Sequence, residues 1–143
     1  MPQLTIETSK VEKTMSVELL NPPGMPKPLA PYSTATKAGN TIYVSGILSL
    51  GADGKTVGAG DVRMQTKHVI ETIATILKSA GATLSDVAFN TIIVKDMGDY
   101  AAVNEVYREY FGAHPPARYC IAAQLVRDEF LVEIASIAHI ANS

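Results

Sequence analysis

Residues 115–141 read PPARYCIAAQLVRDEFLVEIASIAHIA, and the fold turns on how this stretch is taken. Two apolar runs, RYCIAAQLV and FLVEIASIAHIA, are joined by the polar RDE. Both read as strands. In the first, Arg118, Cys120 and Ala122 fall on one face, with Tyr119, Ile121 and Ala123 on the other. In the second, Glu133 shares a face with Leu131, Ala135 and Ile137, while Val132 and Ile134 face the opposite way. A guanidinium at the entrance of one buried strand and a carboxylate within the other are both costly unless something meets them. Two readings of Glu133 stand open: an internal ion pair with Arg118, or an acid or base with a raised pKa that handles protons.

Working outward, DYAAVNEVYREYFG upstream is an amphipathic helix, with Asp99 near its start and Gly112 after its end. VAFNTIIVKD before it is a strand. DVRMQTKHVIETIATILKSAG places Val62, Val69, Ile73, Ile76 and Leu77 at helical spacing, with Asp61 as cap and Gly81 as stop. GADGKTVGAG is a glycine-rich loop, and TIYVSGILSL (41–50) a β-branched strand entered from the AGN turn at 38–40. LNPPGMPKPLAPYS holds five prolines in fourteen residues, which fixes φ and withholds donors, so it is an ordered or extended loop. A short strand is expected near Met15–Leu19. The order β(β)-α-β-α-β-β predicts an α+β sandwich: a mixed sheet with two helices on one face. Apolar strand positions on the other face call for another subunit as cover.

The chain has 143 residues, 47% hydrophobic and 18% charged, which fits one domain over 1–143 with a real core; residues 1–27 form an N-terminal extension and first strand. The formal net charge of −2 gives no electrostatic reason to expect nucleic acid or an anionic membrane as partner. One cysteine makes no internal disulfide and suits a reducing, cytoplasmic compartment. The N-terminus lacks a basic segment followed by an apolar stretch, and no run is long enough for a membrane span.

Several motifs weigh little. GKT at 54–56 lacks the phosphate-loop glycine, since Ser49 stands in its place. His68, His114 and His139 show no ligand spacing, so no metal is expected. Ser45 lacks the GxSxG context of a nucleophile. Cys120 alone reads as a small core residue, Tyr32 as a packed loop tyrosine, and Asn104 as a surface or capping amide.

Together, APYSTAT (30–36), TIYVSGIL (41–48), NEVYREYFG (104–112), PPARYC (115–120) and VEIASIA (132–138) resemble the reactive-intermediate deaminase (Rid, YjgF-type) family, over about residues 28–140. The chain is most similar to the branch that handles aminoacrylate in pyrimidine catabolism. The resemblance implies a chorismate-mutase-like fold and a homotrimer whose sheets form a central barrel, with sites in the clefts between subunits. It implies hydrolysis of small enamino or imino acids, such as 3-aminoacrylate or 2-aminoacrylate, to a carbonyl acid and ammonia without a cofactor. Carried over by position, Arg118 clamps the substrate carboxylate and Glu133 orients or activates water. Cys120 lines the site, and Tyr32, Ser45 and Asn104 complete it, partly from the neighbouring subunit. Many members have glutamine where Ile47 stands, which implies a less polar pocket wall. A non-catalytic sensor of small carboxylates and an endoribonuclease are the rival expectations; the acidic balance argues against the latter.

Overall fold

The computed structural model describes residues 16–141. Its strands are β1 (Val17–Leu20), β2 (Ala35–Ala38), β3 (Thr41–Leu48), β4 (Val87–Val94), β5 (Ala117–Ala122) and β6 (Val132–His139); its helices are α1 (Val62–Ser79) and α2 (Tyr100–Phe111). They form one six-stranded sheet in the order β1-β2-β3-β6-β4-β5. Every pairing is antiparallel except β4 with β5, which run parallel and are joined by α2 as the crossover. The mixed sheet with two helices is the expected α+β architecture.

Strand β6 lies in the middle, between β3 and β4, and its period of two is explicit: Val132, Ile134, Ser136 and Ala138 are buried beneath the helices, while Ile137 and His139 on the opposite face are exposed. Against the covered face α1 packs Val69, Ile70, Ile73, Ile76 and Leu77, all fully buried, and α2 packs Val103, Tyr107 and Phe111. Burial of each large aliphatic side chain contributes about 1.5–3 kcal/mol, so this single layer of contacts holds the helices to the sheet. The caps fall where the sequence puts them. Asp61 accepts from the Met64 amide at 3.0 Å, and Gly81, at φ 81°, lets the Ala82 amide turn back to the Leu77 carbonyl.

Two segments differ from expectation. β2 had no strand signal: ATKA lacks apolar alternation, and it is a strand because the Gly39–Asn40 turn folds it onto β3 while β1 pairs along its other edge. The RYCIAAQLV run leaves the ladder after Ala122, with the Ala123 amide on the Val94 carbonyl at 3.0 Å as its last bond, because its partner β4 ends at Val94. Residues 123–131 form a return loop. It is pinned by Gln65, whose buried side chain donates to the Gly58 and Glu129 carbonyls and accepts from the Leu131 amide at 2.8 Å. Of the expected N-terminal strand, Val17–Leu20 is seen, and Met15, with the rest of residues 1–15, lies outside the described residues.

Candidate active site

Arg118 is the second residue of edge strand β5, level with Asn90 on β4, so its side chain rises on the helix-covered face. There α2 presents residues one turn apart. Arg118 donates to the Asn104 Oδ1 at 2.6 Å and to the Tyr100 hydroxyl at 3.2 Å, and its guanidinium carbon stands 4.6 Å from the centre of the Tyr107 ring. None of these partners is anionic. The ion pairs among the described residues are Arg63–Glu105 and Lys95–Asp128, and Arg118 joins neither. Neutral oxygens and an aromatic face thus orient a full positive charge without neutralising it. The platform is itself braced: Asn90 donates to the Tyr107 hydroxyl at 2.9 Å, and Ser136 donates to Asn90 at 2.5 Å, both bonds buried. Cys120, one step along the same face, is half-buried, and desolvation raises its thiol pKa against the lowering pull of Arg118. A protonated thiol there is wall material rather than a nucleophile.

Glu133 belongs to a different surface. On β6 it pairs with Leu48 on one side and Ile93 on the other, on the face that the helices leave open. Burial among these neighbours pushes its carboxyl above the ordinary glutamate range. The register of β3 against β6 slips between Val44 and Ile47, so Ser45 and Gly46 together oppose Ala135. This bulge brings Gly46 directly against the Glu133 carboxylate: a side chain at position 46 would collide with it. Around them Leu29, Tyr32, Ser45, Leu48 and Val126 enclose a cleft of about 420 Å³. The proline-rich loop forms its rim, closed at its base by the Thr34 amide on the Asn21 side chain at 2.9 Å and anchored by the Ser45 hydroxyl on the Ser33 carbonyl at 2.6 Å.

The two clusters therefore lie on opposite faces of one sheet, each an open cleft on a single chain.

The comparisons with known proteins bear on the whole of this arrangement. The family described as Endoribonuclease L-PSP matches residues 23–140. The chain belongs to this family. It is the Rid-type family that the motifs resemble. The chain is 52% identical over 126 residues to a protein of Acinetobacter baylyi named 3-aminoacrylate deaminase RutC, covering 88% of this chain and all of the relative. The crystal structure of RidA from an Antarctic Psychrobacter superposes with a TM-score of 0.80 at 30% identity, over 86% of this chain and 99% of that one. That of Escherichia coli TdcF with bound serine superposes at 0.78 and 25% identity, over 87% and 99%.

Within this family fold, the residues singled out in the sequence divide cleanly. Arg118, Asn104 and Cys120 come together on the covered face; Glu133, Tyr32 and Ser45 come together on the open face. The internal Arg118–Glu133 ion pair is not formed, because fifteen positions of chain carry the two side chains to opposite sides of the sheet. Ile47 also stands elsewhere than expected. Level with Ile134, it faces the helix side and lines an inner cavity with Met25 and Ile76 beneath the proline-rich loop, so it backs the site instead of walling the Glu133 cleft. Sequence reading missed Gly46, Tyr100 and Tyr107. Gly46 had a signal, a lone glycine inside a strand pattern, which marks a bulge or a close approach. Tyr100 and Tyr107 had only their helical spacing to Asn104.

Proposed function

We propose that this chain is an enamine/imine deaminase, hydrolysing small reactive enamino or imino acids of the 3-aminoacrylate or 2-aminoacrylate type to the carbonyl acid and ammonia. The observation that carries the reading is Arg118, a cation held in one orientation by neutral groups and so ready for a planar carboxylate in two-pronged contact. The relative named 3-aminoacrylate deaminase and the serine bound to TdcF support a small ligand with a carboxylate.

The site is completed by a second copy, the Arg118 half of one chain meeting the Glu133 half of its neighbour. An exposed band on the open face, including Leu19, Tyr43, Tyr119, Ile121 and Ile137, supports a homotrimer whose sheets line a central barrel. In the shared cleft the carboxylate of the substrate sits on Arg118 and accepts from the Asn104 amide. Protonation of the enamine carbon gives an iminium, water adds to it, and ammonia leaves as the carbonyl forms. One water is consumed, and no redox change or cofactor enters. Glu133, with its raised pKa, passes protons between water and the substrate, and Tyr32, Ser45 and the Gly46 backbone bound the reacting end. Cys120 contributes wall and backbone. A cytoplasmic setting suits the unpaired thiol. A net charge of −2 speaks against RNA as substrate.

The test is ammonia release from enzymatically generated aminoacrylate by the parent and Arg118→Lys. Lysine keeps the charge and loses the fork, which should cost on the order of 2 kcal/mol in transition-state binding, a fall of about thirtyfold in kcat/KM. An unchanged kcat/KM returns Arg118 to a structural role. Carboxylate binding by the parent without ammonia release would leave a ligand sensor.

A further inference from the structure

The cleft in front of Arg118 has a volume of about 410 Å³ on the single chain, and a second arginine lines it. Arg108 lies one helical turn beyond Asn104, the residue that holds Arg118, so Tyr100, Asn104 and Arg108 form one ridge of α2 facing the same space. The base of its side chain is placed by the end of the helix. A Cβ on Gly112 would stand 3.1 Å from Arg108 Cγ, so the arginine stem starts beside Gly112, and both residues line the cleft with Pro115 and Pro116. Its nearest acidic neighbour one turn back, Glu105, is engaged with Arg63 at 2.9 Å, and Arg108 joins no ion pair among the described residues. No carboxylate lines the cleft. The two prolines remove backbone donors from its rim, and the two guanidiniums, with the Asn104 amide nitrogen, whose oxygen Arg118 already occupies, remain as donors for an anion.

We propose that Arg108 is a second anion-binding residue of this cleft and makes it selective for small dicarboxylic ligands, one carboxylate on Arg118 and the other on Arg108. The proposal rests on Arg118 as the anchor of the first carboxylate and extends the substrate class to enamino and imino acids with a second acidic group. One carboxylate needs one fork; two uncompensated forks on one wall, with no acid between them, suit a dianion. The plain alternative is that Arg108 only offsets the negative end of the α2 dipole, as a basic residue in a last helical turn does. That role affects stability and is blind to ligand charge.

The experiment uses the intact assembled protein and compares succinate and glutarate with butyrate, by calorimetric titration and as inhibitors of aminoacrylate-dependent ammonia release. The parent should bind the diacids about tenfold or more tighter than the monoacid. In Arg108→Gln that ratio should fall to about one, and Arg108→Lys should restore part of it. Equal affinity for diacid and monoacid in the parent overturns the proposal, as does a diacid preference that survives Arg108→Gln, or a variant that weakens both ligands equally. If calorimetry finds the Arg108-dependent preference while no ammonia is released, the deaminase reading fails and the dianion subsite stands. If monoacid binding depends on Arg118 with no diacid preference, the subsite fails and the deaminase reading stands.

Discussion

Glu133 is a carboxylate whose folded pKa lies above its ordinary value of 4.5, chiefly because burial penalises the charged form. Between 4.5 and the raised value the folded chain keeps a proton that the unfolded chain has released. The contribution of this residue to stability is therefore full below about 4.5 and is lost as pH rises through the folded pKa. A glutamine is neutral throughout. Glu133→Gln should melt at the same or a higher temperature than the parent at pH 7, with the gap closing toward pH 4, and should lose about two orders of magnitude or more in deamination rate. Melting curves across that pH range and rates on the same sample check both. A large fall in melting temperature at pH 7 with activity kept would mark Glu133 as a structural partner instead. At this scale the sequence was informative about which side chains are out of place, since a charge among apolar neighbours is visible in a string of letters. It said less about what each one meets. Both readings of Arg118 assumed an anionic partner, whereas its partners within the chain are an amide oxygen, a phenol and a ring on α2, at separations of eleven to eighteen positions.

Among the elements, β3 combines two functions that the sequence presents as one strand. Up to Val44 it is regular sheet, and from Ile47 it is regular again, but the Ser45–Gly46 bulge between them turns the chain so that backbone touches the Glu133 carboxylate. Gly46 does not have a positive φ, so alanine is tolerated by the backbone, and the conflict is confined to the added methyl and the carboxylate. Gly46→Ala should therefore fold, at a cost of about 1–3 kcal/mol from crowding, and should lose activity about tenfold or more by displacing Glu133. Activity at the parent level in a folded Gly46→Ala would show that the carboxylate has room to move. The helices and the long strands were legible because periods of 3.6 and 2 arise from burial on one side, which the residues themselves record. β2 was illegible because its strand character comes from its neighbours' hydrogen bonds. The end of β5 was illegible for the converse reason: apolar residues to Val126 continue the pattern after the partner strand has stopped.

For the whole molecule, the open face supports the proposed assembly. Tyr43, Tyr119 and Ile137 are each more than a third exposed on it, with Phe89 packed against Tyr119 at 5.8 Å between ring centres, while the opposite face is covered by both helices. Apolar area of this kind is favoured in contact with another copy of itself. Sedimentation at micromolar concentration should give a single species of three chains; a stable monomer would remove both the barrel and the shared cleft.

Under the proposed shared cleft, the placement of Arg118 and Glu133 on opposite faces of one sheet also has a genetic consequence. When each cleft takes one residue from either side of a boundary between chains, a cleft belongs to no single gene product. Two alleles, one lacking the arginine and one lacking the glutamate, are each null alone. In a mixed ring of three, however the chains are ordered, one boundary joins an intact arginine to an intact glutamate. Random mixing of equal amounts then recovers roughly a quarter of the parental clefts. The same arithmetic makes a chain defective in both residues a poison to its partners, since each copy it contributes spoils the two clefts it borders.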